Sequence, residues 1–302
     1  MPQRWVANAL GRRRVQRRVA FLSCLTLFTA TTLFAATAFG IVQLGVSSPA
    51  HAAGAYKLQG KGLDSCAAPS TTKMADFWSG TPYWYWGIYI GGSQRACSQP
   101  NLTSSWINTV MSGSTMNWRL LPLWVGRQDP CQPGFGSYIS LNTSTAYNQG
   151  KAEAGSAYLT WTSTLGQSSS TPIVYDMEYT GGTITSSCLA AMKSFINGWV
   201  YQLHLAPAQK AGVYTSACAK LDAFSTIANV PDFIDAADWD GDSHTSNISC
   251  VPSNHWIYQQ RHKQYRGSHN ETWNGSTINV DSRCANSWTY ATDAINADSS
   301  CS

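Results

Sequence analysis

The chain has 302 residues and a formal net charge of +4, but its basic excess lies at one end. Six of the 20 basic side chains and none of the 16 acidic ones fall within residues 1–52. The 250 residues that follow therefore carry a net charge of −2, and they offer no basic patch for a nucleic acid. A chain of that length is long enough for one large barrel domain.

Residues 1–52 are typical of an export signal. After the arginines, Val19 to Ala50 carries no charge, and Ala50-His51-Ala52 has the small-x-small pattern of a cleavage site. Arg17-Arg18 resembles a twin-arginine signal with its apolar pair one residue late, so Sec and twin-arginine export both stay open. We predict cleavage, no membrane contact afterwards, and a secreted or cell-wall-associated protein. The long apolar segment leaves an uncleaved membrane anchor as the alternative.

Cysteine usage agrees with export, because an even number remains after residue 52. These cysteines are Cys66, Cys97, Cys131, Cys188, Cys218, Cys250, Cys284 and Cys301. In an exported chain this favours disulfides, although the sequence does not choose the pairing. There is no CxxC pair and no Cys/His spacing of a zinc site, so we expect no metal and no cofactor. We also expect a monomer.

Residues 53–302 alternate between strand and helix patterns, which predicts a single domain. The predicted strands are 61–64, 84–90, 118–125, 171–179, 211–216, 233–239, 255–260 and 277–281. Helical patterns cover 69–78, 104–110, about 145–165, 189–203 and 221–227. Eight such units indicate an α/β fold of the (β/α)8 TIM-like barrel type, irregular after strands 6 and 7, where helices are weak or missing.

Acidic residues stand at several predicted strand ends. In a barrel, polar side chains at the carboxyl ends of the strands meet in one mouth. Asp64, Asp176, Glu178, Asp238 and Asp281 occupy such ends. Asp176 and Glu178 are two residues apart, so on a strand both point to the same face. Either this pair does chemistry, or it lies at a solvated strand end where one acid caps the next helix.

Clustered carboxyl groups with aromatic walls fit glycoside hydrolysis, in which one carboxyl protonates the leaving oxygen and another stabilises or attacks the anomeric carbon. The predicted sugar contacts are Tyr89, Trp124, Tyr214, Asp238, Trp239 and Gln260. For each aromatic residue, ordinary packing between helix and strand is the alternative.

Other chemistries have weaker support in the sequence. There is no G-x-S-x-G, G-x-x-x-x-G-K-[ST], G-x-G-x-x-G after a strand or H-E-x-x-H. A metal-dependent phosphodiesterase remains an alternative, because acids also bind divalent cations. Asp238-Trp239-Asp240-Gly241-Asp242 looks like the start of a calcium loop, but the closing acid is missing, so a polar turn is the simpler interpretation.

Seven stretches together resemble a family of exported bacterial glycoside-hydrolase-like domains of unknown function, related to family 25-type muramidases. They are Gly62-Leu63-Asp64-Ser65-Cys66-Ala67-Ala68-Pro69, Gly87-Ile88-Tyr89-Ile90-Gly91-Gly92, Gln99-Pro100-Asn101-Leu102-Thr103, Leu123-Trp124-Val125-Gly126, Ile173-Val174-Tyr175-Asp176-Met177-Glu178, Gly212-Val213-Tyr214-Thr215-Ser216 and Ile278-Asn279-Val280-Asp281. The resemblance covers residues 62–281.

This resemblance implies a TIM-like barrel with Glu178 as the general acid. Asp176 would position the substrate or stabilise the oxocarbenium-like state, and Asp64 and Asp281 match acids on the first and last strands. Since several related barrels use the substrate's own N-acetyl group, no separate nucleophile is required. The implied substrate is an aminosugar-containing cell-wall glycan of the peptidoglycan or chitin type. An inactive barrel module that only binds such a glycan is the alternative.

Overall fold

The computed structural model describes residues 53–206 and 209–302, so the predicted export signal lies outside the described residues. The strands are β1 (Gly54–Asp64), β2 (Tyr83–Gly91), β3 (Arg119–Trp124), β4 (Pro172–Asp176), β5 (Lys210–Ser216), β6 (Phe233–Ala237), β7 (Arg261–Trp273), β8 (Ser276–Ala291) and β9 (Ile295–Asn296). The α-helices are α1 (Thr71–Gly80), α2 (Ser104–Val110), α3 (Thr143–Leu159) and α4 (Ser186–His204). Shorter helical turns cover Thr160–Thr164, Leu221–Thr226 and Ser299–Cys301.

Eight of the strands pair edge to edge in a closed ring. The order runs from β2 through β8 to β1, and β1 pairs with β2 to complete the ring. Neighbouring strands from β1 to β7 are parallel, whereas β8 is antiparallel to both β7 and β1. The two-residue β9 adds to β1. The fold is therefore a mixed α/β architecture built on a nine-stranded sheet.

The prediction of a seventh strand at residues 255–260 is wrong. These residues form turns, and β7 begins at Arg261. Trp256 and Gln259 have φ angles of 51° and 53°, in the left-handed region that an extended strand does not use. Within this run Trp256 is buried and its indole Nε1 donates to the carbonyl of Pro231 at 2.9 Å, whereas Ile257 and Tyr258 are exposed.

The expectation of eight parallel strands also fails at β8, because β7 and β8 form a hairpin. Asn274 and Gly275 connect them with φ angles of 47° and 85°. An Asn-Gly pair with both φ angles positive is the preferred two-residue hairpin turn. A hairpin needs no crossover helix, so the expected irregularity after strand 7 takes this form. The predicted strand 277–281 is a part of the longer, antiparallel β8.

Alternating side chains give the sheet two packed faces. The smaller cluster lies within the ring and joins residues from seven of its strands, including Val174 of β4. The larger cluster packs the outer face against the helices, and Ile173 and Tyr175 of β4 belong to it. The Tyr175 ring centroid lies 4.8 Å from that of Phe195 and 5.0 Å from that of Trp199 on α4. This packing fixes the position of β4 relative to α4.

All eight cysteines that were predicted to form disulfides do so. The pairs are Cys66–Cys97, Cys131–Cys188, Cys218–Cys250 and Cys284–Cys301. Three of them tie loops that follow β1, β3 and β5, near the end of the ring where those strands finish. Among the described residues, no helix has the length and apolar character needed to cross a membrane.

Candidate active site

The segment that ends β4 carries the predicted pair of acids into the ring. Asp176 is the last residue of β4, and the backbone N–H of Met177 still donates to the carbonyl of Tyr214 at 3.0 Å. Met177 is buried in the outer core. Because side chains alternate along an extended segment, Asp176 and Glu178 point to the other side, toward the interior of the ring.

A buried glutamine that the sequence analysis missed holds this segment in place. The side chain of Gln128 donates from Nε2 to the carbonyl of Asp176 at 3.0 Å and accepts the backbone N–H of Glu178 at 2.7 Å. It also donates to the carbonyl of Gly126 at 3.1 Å. Gln128 follows the predicted end of a strand, in a loop without a motif, so no local pattern indicated it.

Asp64, at the end of β1, takes part in a buried charge network. Its Oδ2 accepts from Arg283 Nη1 at 2.9 Å, and the other arm of Arg283 binds the carboxylate of Asp235. All three side chains are almost fully buried. Gly87 makes room for them, since a Cβ there would lie 2.8 Å from the Asp64 Cβ and 3.1 Å from the arginine. Tyr89 Oη also approaches Asp64 Oδ1, at 3.4 Å.

Sequence reasoning missed Arg283 and Asp235, although a signal for the arginine was present. Arg283 follows Asp281 by two residues on a strand, so both point to the same face. Asp235 lies within a predicted strand, where an acid gave no reason to expect a cation partner. A buried arginine between two acids satisfies the rule that buried charges are paired.

Burial and mutual repulsion raise the pKa values of the other acids. Burial raises the pKa of Glu178 to about 7, and the charge of Asp64 adds to this rise. Burial raises the pKa of Asp281 to about 8, with further contributions from Asp64 and Glu178 and an opposing one from Arg283. These mutual effects indicate that the carboxyl groups of β1, β4 and β8 share one site.

Asp176 also lies in an environment that disfavours an ionised carboxyl. Burial raises its pKa well above the ordinary value, and the charge of Glu178 raises it further. Its Oδ1 is buried and has no hydrogen-bond partner among the described residues. A buried polar atom without a partner is costly, and such atoms occur where a ligand completes the contact.

Gln264 of β7 is the second glutamine that sequence reasoning missed, because the position of β7 itself was wrong. Its Nε2 donates to Oδ2 of Asp64 and Oδ2 of Asp281, both at 3.0 Å. Its Oε1 accepts from Tyr214 Oη at 3.0 Å and from Trp239 Nε1 at 2.9 Å. The structure thus brings seven of the ten predicted residues to one end of the ring, namely the indole of Trp239 and six others. The six are Asp64, Tyr89, Asp176, Glu178, Tyr214 and Asp281.

Three predicted site residues lie elsewhere. Trp124 belongs to the outer core, and its Nε1 donates to Oε2 of Glu153 on α3 at 2.6 Å. Asp238 accepts the backbone N–H of Ser249 at 2.7 Å within its own loop. Gln260 precedes β7 and donates to the carbonyl of Asp232 at 2.7 Å, at the end of the sheet where β6 begins, opposite to the end that carries Asp64 and Asp176.

At the acid-rich loop after β6, a buried lysine lies where a metal ion would bind. The side chain of Lys263, on β7, is fully buried. Its ammonium nitrogen lies 2.8 Å from Asp240 Oδ2, 2.6 Å from the carbonyl of Asn247 and 3.5 Å from Asp238 Oδ2. These oxygens would otherwise be free to bind a metal ion. The calcium-loop resemblance therefore corresponds to a loop closed by an ammonium group.

One group of potential metal ligands lies outside this site. Asp129 and the sulfurs of Cys131 and Cys188 have ligand atoms within 4.8 Å of one another. The two sulfurs form a disulfide, and a disulfide offers no thiolate to a metal. This group is therefore a structural tether between the loop after β3 and the start of α4.

The described residues form an α/β domain in which a closed ring of strands carries buried carboxyl groups at one end, beside the exposed indole of Trp239. Residues 76–285 match the model of the family described as "Rv2525c-like, glycoside hydrolase-like domain". The chain belongs to this family, which confirms the resemblance found in the sequence.

Solved structures similar to this chain include a bacterial lysozyme and a spore cortex-lytic enzyme. The lysozyme from Streptomyces coelicolor is 15% identical with a TM-score of 0.47, over 76% of this chain and 92% of that chain. The spore cortex-lytic enzyme SleL from Bacillus cereus is 11% identical with a TM-score of 0.39, over 75% of this chain and 55% of that chain. A search of curated proteins finds no match.

Proposed function

We propose that this chain is a secreted hydrolase that cleaves an aminosugar-containing cell-wall glycan, with Glu178 as the general acid. The observation that carries the proposal is a buried group of carboxyls in which Glu178 has its pKa raised to about 7. A general acid must hold its proton near the working pH and release it in the transition state, and a pKa near 7 suits both steps.

Asp176 is proposed to face the acetamido group of the sugar or the ring carbon that becomes positive. Its unpartnered Oδ1 is free to accept a hydrogen bond from a bound N-acetyl group. A positive charge developing on the sugar would favour ionised Asp176, because an opposite charge lowers a carboxyl pKa. The carboxylate would then stabilise the oxocarbenium-like state more than the neutral substrate, as catalysis requires.

Asp64 and Asp281 are proposed to give the site a negative electrostatic potential. The guanidinium of Arg283 compensates Asp64 and Asp235 together, so its single positive charge leaves an excess of acid. This excess raises the pKa of Glu178 and attracts positive charge in the transition state. Tyr89, Tyr214 and the exposed Trp239 would line the sugar-binding wall.

We further propose that the closed ring is a TIM-like barrel in which a hairpin replaces the last crossover. The site then lies at the carboxyl ends of the strands, where such barrels carry their chemistry. Residues 1–52 are proposed to direct export, which agrees with four disulfides in the described chain. In this proposal residues 53–302 act as a monomeric mature protein without a cofactor.

The proposal is tested by incubating residues 53–302 with purified peptidoglycan and with chitin-type oligomers, and reading the products by mass. Hydrolysis predicts new reducing ends and products whose combined mass exceeds that of the substrate by one water for each bond cleaved. Binding to the glycan without fragments would contradict the proposed hydrolysis and support the inactive binding module instead. Fragments formed only when a divalent metal is supplied would favour a metal-dependent reaction.

A further inference from the structure

Gln264 uses every hydrogen-bonding position of its amide. The side chain is 2% exposed, and its Nε2 and Oε1 each make two bonds of 2.9–3.0 Å. A primary amide offers two donor hydrogens and two acceptor lone pairs, so no position is left for another group. The two sides of the amide face chemically different neighbours, carboxyl groups on one side and aromatic donors on the other.

The neighbours allow only one orientation of this amide. An indole N–H can only donate, so the amide atom that faces Trp239 Nε1 must be the oxygen. Rotation of the amide by 180° would therefore place Oε1 against Asp64 and Asp281, and the NH2 group against the N–H of Trp239. A group with one permitted orientation and four short bonds holds its neighbours at fixed positions.

Trp239 is the exposed partner in this arrangement, because its side chain is 65% accessible to solvent. Its indole is nevertheless held at the Nε1 atom by Gln264 and supported by the backbone at Gly267, where a Cβ would lie 2.9 Å from the ring. An exposed ring that is fixed at one edge presents a flat surface at little entropic cost, which suits stacking of a sugar.

We propose that Gln264 is a positioning residue that couples sugar stacking on Trp239 to the placement of Asp64 and Asp281. The inference rests on the proposed function, since it concerns how the same site recognises and cleaves its glycan. A sugar that stacks on the indole contacts a ring whose Nε1–H is bonded to Oε1, and the Nε2 atom of the same amide holds both carboxyl groups. Gln264 itself need not touch the reacting atoms.

The test compares Gln264→Met with Gln264→Glu. Methionine has a similar length and removes all four hydrogen bonds. Glutamate keeps an acceptor oxygen in the place of Oε1 for both aromatic donors, but it replaces Nε2 by a carboxylate oxygen that faces Asp64 and Asp281. When that carboxyl is protonated, it offers one donor again and partly replaces the amide. The ionisable groups that interact electrostatically with Asp64, a bonded partner of Gln264, are Tyr85, Tyr89, Asp176, Glu178, Tyr214, Asp235, Asp281 and Arg283.

We expect Gln264→Met to lower kcat about tenfold or more and to raise KM, because both the carboxyl groups and the indole lose their position. For Gln264→Glu, the kcat relative to wild type should fall more steeply than that of Gln264→Met as the pH rises from about 5 to about 8, because only the glutamate variant gains a negative charge at this position. The matched control is Gln167→Met, a glutamine before β4 whose Nε2 donates to the Leu165 carbonyl at 2.7 Å. Circular dichroism verifies that each variant is folded.

Wild-type kcat and KM in folded Gln264→Met would overturn the inference, and so would identical pH profiles for the two Gln264 variants. A wild type that cleaves no glycan would instead refute the proposed function. The inference then rests on a second measurement, a carboxyl carbon NMR titration that needs no turnover. Loss of the Nε2 donor should raise the pKa of Asp64, with Asp64→Asn used to assign the signal. An unchanged Asp64 titration in Gln264→Met would overturn the inference.

Discussion

The cost of ionising Glu178 should be measurable in the stability of Glu178→Gln. Burial raises the pKa of this carboxyl from 4.5 to about 7 in the folded protein. Between these values the unfolded chain has released a proton that the folded protein still holds, so stability falls as the pH rises. Above pH 7 the folded protein is ionised too, and the loss levels off at about 3 kcal/mol, since one pKa unit corresponds to about 1.4 kcal/mol.

Glutamine has no proton to release, so it escapes this cost. The free energy of unfolding of Glu178→Gln, relative to wild type, should therefore increase by about 3 kcal/mol between about pH 4.5 and about pH 8. The assay is urea denaturation of residues 53–302 with the disulfides intact, followed by circular dichroism at several pH values across this range.

Glu271→Gln is a matched control with the opposite sign. Burial opposes ionisation of Glu271, but hydrogen bonds from Tyr83, Trp273 and His269 outweigh it and lower the pKa of this carboxyl. Glu271→Gln should therefore be less stable than wild type at neutral pH, and the gap should narrow as the pH falls below about 4.5. A stability difference between wild type and Glu178→Gln that does not vary with pH would refute the reasoning about the site.

Three further predictions concern the surroundings of the site. Arg283→Met should lower the free energy of unfolding by about 3–5 kcal/mol at about pH 7, because it leaves Asp64 and Asp235 buried without a cation. At about pH 4 the loss should be smaller, and urea denaturation at both pH values measures the difference. Replacing Cys131 and Cys188 by alanine should cost about 4 kcal/mol, as expected for a closed loop of 57 residues, and a Tm equal to wild type would contradict it. Glycan cleavage should persist in a strong chelator, and its loss would favour the metal-dependent phosphodiesterase.

Local patterns predicted the parts of the fold that local residues determine. The helix at 104–110 has the observed bounds of α2, because Thr103 caps it and its Oγ1 accepts the N–H of Trp106 at 3.1 Å. The strand that carries Asp176 was recognised from its β-branched and aromatic residues, and its end is where the acids were expected.

Tertiary contacts decided what local patterns did not predict. The run at 255–260 has the composition of a strand, but left-handed φ angles and the packing of Trp256 make it a turn. The Asn274-Gly275 pair in the sequence indicates a hairpin turn, and it would have predicted a strand that ends just before Asn274. With β7 misplaced, Gln264 could not be recognised, and Gln260 took its place among the predicted site residues.

Among the candidate site residues, too, those set by local pattern were predictable and those set by distant contacts were not. Acids at strand ends were predictable because parallel strands direct such residues to one end of a sheet. Trp124 was misjudged because alternation alone does not say which face of β3 is the interior. Gln128 and Asp235 act through partners distant in sequence, at separations of 50 residues from Glu178 and 48 from Arg283. No spacing rule connects residues that far apart.

The central claim is that Glu178 donates the proton to the leaving group, and the most direct measurement is the release of reducing ends from purified peptidoglycan. Wild type and Glu178→Gln are compared at about pH 6, with glycan binding measured in parallel. We expect the variant to lose a factor of about 10²–10⁴ in kcat, the usual contribution of a general acid, while it retains binding. Normal turnover by Glu178→Gln would contradict the claim.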